Sequence, residues 1–391
     1  MPQIRVPAVF MRGGTSKALI FRQGDLPEDR TEWASIFLAT LGSPDPNGRQ
    51  LDGMGGGISS LSNVCIVAPS FRVDADVDYT FAQVSVKQAT VDYSGNCGNM
   101  TSAIGPFAVD EGVVPRPTGP EAVVRIHNTN TGKIIVSCFP MDGDYAAVDG
   151  DLAIDGVAGT GAAIRLDFID PAGAKTGKLL PTGRAVDVLD VLGVGCVPAS
   201  LIDAANPCVF VPASAVGRRG TESPDMLEGD TLLLGHLENI RRTASVAMGI
   251  APDLQAAGQI PSLPKVAMVA EPTEMRTLSG AVVAREDTDI LVRMISIGQP
   301  HRAVPLTGAL CVAVACRIPG SVPNQMVKTG CEGDLRIGHA SGVVLVAAEV
   351  REINGQLEVP YATVYRTARR LFQGEVFYRR GRRQPDLPAS L

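Results

Sequence analysis

Tyr93-Ser94-Gly95-Asn96-Cys97-Gly98-Asn99-Met100 decides how this chain is read. Upstream, Phe81 to Tyr93 alternates apolar and polar residues and is rich in Val, Thr and Tyr. That period of two predicts a strand. Downstream, Thr101 to Gly112 carries a short helical pattern stopped by a glycine. Cys97 is therefore expected where a strand ends, in a glycine-flanked turn, at the mouth of a helix. Free backbone N–H groups and the positive end of the helix dipole converge at such a place. There a thiol is expected to fall from a pKa of about 8.5 to roughly 3.5–7.5. Gly95 and Gly98 leave room for a ligand to approach the backbone. The pattern also suits a small buried cysteine in a tight turn, but two glycines and two asparagines pack a core poorly.

Length and composition bound the setting of that turn. At 391 residues the chain is long enough for two domains. A net charge of −6 and 5% aromatic residues argue against a nucleic-acid partner, which needs a basic face and stacking platforms. An acidic ligand must then be caught by local donors. The eight cysteines form no C-x-x-C pair and have no histidine cluster beside them. A zinc site or disulfide framework is not expected, and no metal is assigned. No stretch reaches the ~20 apolar residues of a membrane span, and Met1 to Val6 lacks a leader-like apolar run. A soluble, cytoplasmic protein is expected.

Other loops carry donors. Ile4 to Phe10 and Ala18 to Phe21 read as strands joined by Met11-Arg12-Gly13-Gly14-Thr15-Ser16-Lys17. Its guanidinium, glycine N–H groups, hydroxyls and ammonium suit a carboxylate or phosphate, although a charged hairpin tip has the same composition. The spacing is not that of a P-loop. Asp25 to Leu41 predicts a helix. Leu51 to Asn63 is a glycine- and serine-rich loop before the strand Val64–Ala68, containing Ser59, Ser60 and Ser62. It lacks the dinucleotide fingerprint. Glu121–His127 and Lys133–Pro140 predict a hairpin. Asp170 to Gly183 reads as a crossover whose lysines, Lys178 among them, reach toward a ligand.

The second half restarts the pattern. Cys208–Pro212, Pro264–Val269 and Asp289–Ile297 read as strands and Ser223–Gly249 as a helix, with Leu227, Leu232, Leu234, Leu237 and Ile240 on its apolar side. Leu306-Thr307-Gly308 opens a small-residue helix and so echoes Asn96-Cys97-Gly98. The loop before Val343 is read as the counterpart of the loop before Val64. A duplicated unit would give two helix mouths, both suited to anions.

A cysteine at a helix mouth supports attack on a carbonyl, with His301 or His339 as base, or proton transfer at carbon with stabilisation of an enolate-like anion. No cofactor motif is visible, and proton transfer needs none. His339 equally suits a turn cap.

Met11 to Lys17, Gly42-Ser43-Pro44-Asp45, Leu51 to Gly56, Asp76 to Val84, Asn96 to Met100 and Gly338-His339-Ala340-Ser341-Gly342 together resemble the PrpF family along nearly the whole chain. The resemblance implies an α+β, diaminopimelate-epimerase-like fold. It has two similar domains, 1–184 carrying Cys97 and 185–391, each a curved, mostly antiparallel sheet around a central helix, with the active site in the cleft between them. It implies cofactor-independent proton shifts on unsaturated di- and tricarboxylates such as aconitate, 2-methylaconitate or 4-oxalomesaconate, and it allows a homodimer. Cys97 matches the family's catalytic cysteine. Arg12, Thr15, Ser16, Ser59, Ser60, Ser62, Asn63, Asn96, Gly98, Asn99, His301, Thr307, Gly308, His339 and Ser341 fall on segments expected to contact substrate. The family's glycine-rich loop ends in a lysine that partners the cysteine, and here that position is Asn63. Asparagine cannot take up a proton near neutrality. Lys17 is the nearest replacement in sequence. A carboxylate-binding homologue of low or lost activity, Asn63 standing in place of the lysine, is the alternative from another class. An amino-acid epimerase would want a second cysteine where Thr307 stands.

Overall fold

In the computed structural model the described residues are 3–93, 96–296, 298–331 and 333–379. They form two compact units, 1–166 with 366–391, and 167–365. The sequence reading placed one boundary near 184 and left the whole C-terminus to the second unit. The difference arises because the strand Ala368–Tyr378 returns to pair antiparallel with the first strand, from Ile4 opposite Tyr378 to Gly13 opposite Ala368.

In the first unit, β1 (Ile4–Gly13) and β2 (Ser16–Arg22) form a hairpin, with Gly13 opposite Ser16. The connection from β2 passes through α1 (Trp33–Leu41) to β3 (Asn63–Pro69), which runs parallel to β2. β3 pairs antiparallel with β4 (Val77–Val84). The chain then passes through α2 (Gly98–Asp110) to β5 (Glu121–Asn128), parallel to β4, and β6 (Lys133–Asp142) closes the run antiparallel to β5. One face of β2 and β3 packs Leu19, Phe21, Val64 and Ile66 against Trp33, Ile36 and Phe37 of α1. α2 packs against β1, β2, β3, β5 and β6. Its residues from Met100 to Val109 are buried all round, as a helix of Ala, Gly, Ser and apolar residues must be.

The second unit repeats this path. β7 (Gly195–Ala204) and β8 (Asn206–Pro212) form a hairpin, and α3 (Thr231–Ala247) leads to β9 (Lys265–Ala270), parallel to β8. β10 (Ile290–Ser296) is antiparallel to β9. The buried α4 (Leu306–Arg317) leads to β11 (Leu335–His339), parallel to β10, and β12 (Gly342–Ile353) is antiparallel to β11. The fold class expected from sequence, two similar α+β units with a helix at the centre of each sheet, is what is found.

The repeat corrects one equivalence. The loop before β3 corresponds to the one before β9, because both strands pair parallel with the second strand of a hairpin. The loop before Val343 leads into β12, the counterpart of β6. The equivalence is legible in retrospect: Ser60-Leu61-Ser62-Asn63-Val64 aligns with Ser262-Leu263-Pro264-Lys265-Val266.

Three elements are shorter than predicted. Pro27 and the Asp29 side chain, which accepts from Thr31 N–H, break Asp25–Leu41 into single turns before α1. Phe81 to Tyr93 is not one strand, since β4 ends at Val84 and Ser85 N–H turns back to Thr90 O at 3.0 Å. Ser223–Gly249 splits at Gly229, where Asp230 caps α3 through Leu233 N–H. That break puts Leu233 in the core and leaves Leu232 exposed. Among the described residues no helix is long and apolar enough to cross a membrane.

Candidate active site

Cys97 is the residue just before α2, with Gly98 as the first helical residue. The β1–β2 tip is pressed onto the first turn of α2. A Cβ on Gly13 would lie 2.6 Å from Asn99 O, and one on Gly14, at φ +51°, would lie 2.3 Å from Asn99 Oδ1. Only glycine permits that approach. It brings Ser16 Oγ to 3.7 Å from Cys97 Sγ and Thr15 Oγ1 to 3.1 Å from Asn99 Nδ2. The buried Arg366 donates from Nε to Asn99 Oδ1 at 3.1 Å. Burial lowers its pKa to about 10, which leaves it cationic at neutral pH. Asn96 accepts from Asn128 Nδ2 at 3.1 Å, which fixes the approach to the helix. The helix N-terminus thus gathers a thiol, hydroxyls, amides and a guanidinium, a set suited to anions and to proton exchange. Ser94 and Gly95 lie outside the described residues.

The thiol departs from the sequence expectation. Burial pushes Cys97 above the usual cysteine value; the Met100 amide, the Ser16 hydroxyl and the Asn99 amide pull the other way but do not win. The sulfur makes no side-chain cap hydrogen bond. Behind it, burial also pushes up Cys65 and Tyr79, whose hydroxyl lies 3.8 Å from Cys65 Sγ. For Cys97 burial therefore favours the thiol over the thiolate.

The hairpin residues divide by strand alternation. Ser16 faces Cys97, so Lys17 projects from the opposite side of β2, with its ammonium 5.6 Å from the centre of the Phe10 ring. The structure therefore does not support Lys17 as the partner of Cys97. Arg12 lies on the same side as Lys17. Its Nη1 donates to Gly14 O at 3.0 Å and Thr367 O at 2.9 Å, binding the hairpin to the returning C-terminal segment. That guanidinium nitrogen is engaged by backbone.

The glycine-rich loop is organised by two residues the sequence reading missed. Buried Gln50 donates from Nε2 to Ser43 Oγ at 2.8 Å and Ser62 Oγ at 2.7 Å, and accepts from Gly57 N–H at 2.9 Å. Gln83 Nε2 donates to Ser59 O and Ser62 O, both at 2.9 Å. Ser62 is buried and donates to Val84 O at 2.8 Å, so it holds the loop rather than a ligand. Ser59 is exposed and Ser60 half-buried. Asn63 is buried on the Ala18 side of the sheet, the side of Ser16. Its Nδ2 donates to Lys17 O at 3.0 Å and Ser60 O at 2.8 Å, and its Oδ1 has no partner among the described residues.

The remaining predicted residues belong to the second unit. Thr307 and Gly308 form the first turn of α4, and a Cβ on Gly308 would meet Met294 Sδ at 2.5 Å. His301 N–H donates to Met294 O at 2.8 Å, so His301 sits against the same methionine. His339 is a turn cap, its Nδ1 accepting from Ser341 N–H at 3.2 Å. Ser341 Oγ donates to Arg302 O at 2.8 Å. These two residues tie the β11–β12 turn to the His301 loop. Lys178 is exposed, in a loop folded around Asp203 Oδ2, which accepts from Lys175 N–H, Thr176 N–H and Thr176 Oγ1.

Comparisons with known proteins agree along the chain. The family model for PrpF protein matches residues 3–379. The 3-methylitaconate isomerase of Eubacterium barkeri is 43% identical, over 96% of this chain and 97% of that protein. The 2-methyl-aconitate isomerase of Cupriavidus necator is 40% identical over 96% and 98% of the two chains. The (4E)-oxalomesaconate Delta-isomerase of Novosphingobium sp. (strain KA1) is 39% identical over 95% and 97%. The crystal structure of a methylitaconate-delta-isomerase superposes with a TM-score of 0.89 at 42% identity, covering 97% of this chain and 96% of that one. With sequence and fold matched through both units, the chain belongs to the PrpF family.

Proposed function

We propose that this protein is a cofactor-independent isomerase that moves a proton on an unsaturated di- or tricarboxylate of the aconitate, 2-methylaconitate or 4-oxalomesaconate kind. The observation that carries the reading is the placement of Cys97 at the mouth of α2, beside Ser16 and the Arg366–Asn99 pair. The named relatives, isomerases of such acids, support it.

In this mechanism a base takes the proton from a carbon next to a carboxylate and passes it on to water, and the electron pair of the broken C–H bond spreads over the allyl-carboxylate system. Helix-terminal N–H groups and Arg366 stabilise the charge as it develops. The Cys97 S–H bond breaks as a new C–H bond forms at the far carbon, and the thiolate regains its proton from water. A buried thiol with a raised pKa suits the donor role. Among the described residues none of the eight cysteines is joined in a disulfide, which suits a reducing, cytoplasmic setting.

Proton NMR in D₂O tests the reading with cis-aconitate, trans-aconitate, 2-methylaconitate, itaconate, methylitaconate and 4-oxalomesaconate. Conversion of one acid with deuterium entering at an allylic carbon is the expected result. Binding without conversion or exchange across the panel would sink the proposal and leave a carboxylate-binding protein in its place.

A further inference from the structure

In the first unit, the sheet face turned away from Cys97 carries charges that the proposed reaction does not use. Arg12 of β1 stands directly opposite Lys17 of β2 and directly opposite Arg369 of the strand Ala368–Tyr378. Residues opposed in this way share one face, with Cβ atoms about 4.5–5.5 Å apart. Arg369, Arg12 and Lys17 therefore form one row of three cations across three adjacent strands. Arg369 joins the row through a bulge. The pairing steps from Phe10 opposite Phe372 to Met11 opposite Arg370, which leaves Leu371 as the extra residue and reverses the alternation. Without that residue Arg369 would point to the other face.

Among the described residues no carboxylate pairs with any of the three. Lys17 has only the Phe10 ring, whose centre lies 5.6 Å from the ammonium. Arg369 is exposed and makes no hydrogen bond or ion pair among the described residues. Arg12 is half-buried and holds backbone oxygens through Nη1 alone. Burial, and then the charge of Arg369, lower the Arg12 pKa. Like charges directly opposite one another destabilise a sheet. The neighbouring Arg370, on the other face, is by contrast paired with both Asp110 and Glu111. The next pair on the face of the row is Phe10 opposite the exposed Phe372, an apolar border suited to a carbon skeleton. Three cations gathered without a counter-charge, one of them re-aimed by a bulge, form an anion site that lacks its anion.

We propose that Arg369, Arg12 and Lys17 bind a small organic oxyanion bearing two or three negative charges, at a site on the face of the sheet opposite Cys97. A guanidinium gives such a group two parallel N–H bonds, and the ammonium adds a point charge. A single negative charge would leave the row cationic, whereas two or three neutralise it. Polycarboxylates and organic phosphates share this chemistry. Bound across the row, the anion ties the returning C-terminal strand to the β1–β2 hairpin and removes the repulsion between their cations. The assignment stands apart from the isomerase reading and does not depend on it.

The test is titration calorimetry of the full chain with tricarballylate, pyrophosphate and acetate at matched ionic strength, repeated on Lys17→Gln and Arg369→Gln. Tricarballylate or pyrophosphate is expected to bind the wild type, and each substitution to weaken that binding by about tenfold or more. Acetate should show no such binding. Sensitivity of tricarballylate to the substitutions would identify a polycarboxylate as the ligand, and sensitivity of pyrophosphate a phosphate. Equal affinity of wild type and both variants for each anion, or no binding of either anion, would overturn the proposal. Urea unfolding without added anion separates a lost ligand contact from a disturbed sheet. Because the row repels itself, each variant should be at least as stable as the wild type. Weaker binding accompanied by a clear loss of stability would show that the side chains hold the sheet and would overturn the assignment.

Discussion

The sulfur of Cys97 shows how one residue can be placed correctly and charged incorrectly. A helix mouth favours thiolate, but desolvation at this position outweighs the amides and hydroxyl that favour the anion. A thiol held above its ordinary pKa fits the proposed role of proton donor, and two measurements test that role. Cys97→Ala and Cys97→Ser should each reduce turnover by about 10²–10⁴-fold, and near-normal rates in both would dismiss the assignment. The working form of Cys97 is the protonated one, so turnover should decline as the pH climbs past a pKa above the ordinary thiol value. A decline that appears nowhere in that alkaline range would show that the thiolate is the working form. Arg366 belongs to the same scale. It reaches Asn99 from 267 residues away in the chain, and no local signal in the sequence announces it.

At the scale of elements, the glycine-rich loop is a structure in its own right. Gln50 satisfies donors and acceptors at three points in it, and a Cβ on Gly55 would fall 2.2 Å from Gln50 Oε1, so a side chain there would push the amide out of those bonds. Gln50→Ala would leave the Gly57 amide and two hydroxyls without that partner. A loss of about 1–3 kcal/mol is expected in denaturant unfolding, with earlier proteolysis between residues 50 and 62. Unchanged stability and unchanged cleavage would show that water replaces the side chain without cost. The spacing of glycines and serines announced a donor-rich loop. It did not announce that Ser62 faces inward, because a serine reads alike whether it bonds to substrate or to Val84 O.

The whole molecule depends on its last described strand. Ala368–Tyr378 covers the full length of β1, and Thr367 O receives both Arg12 Nη1 and Gly14 N–H. Truncation after Tyr365 would strip Arg366 from the helix mouth and bare β1 as an edge. The first unit should then unfold or aggregate, read as loss of a cooperative transition and of soluble monomer on gel filtration. A truncated chain that melted like the intact one would contradict this role. The duplication also belongs to this scale. Only the matching of β2–β3 with β8–β9 shows that Asn63 and Lys265 occupy one position in two copies of a unit.

The sequence by itself determined the local grammar of this protein. Period-two runs marked most strands, small-residue runs marked the two central helices, and glycines marked the turn that carries Cys97. Those features depend on near neighbours in the chain, so a linear reading captures them. Tertiary structure alone decided the rest: the face on which Lys17 projects, the protonation of Cys97, the arrival of Arg366, and the pairing of the C-terminus with β1. Each depends on desolvation or on contacts between residues far apart in sequence, and neither quantity is carried by the order of residues within a window.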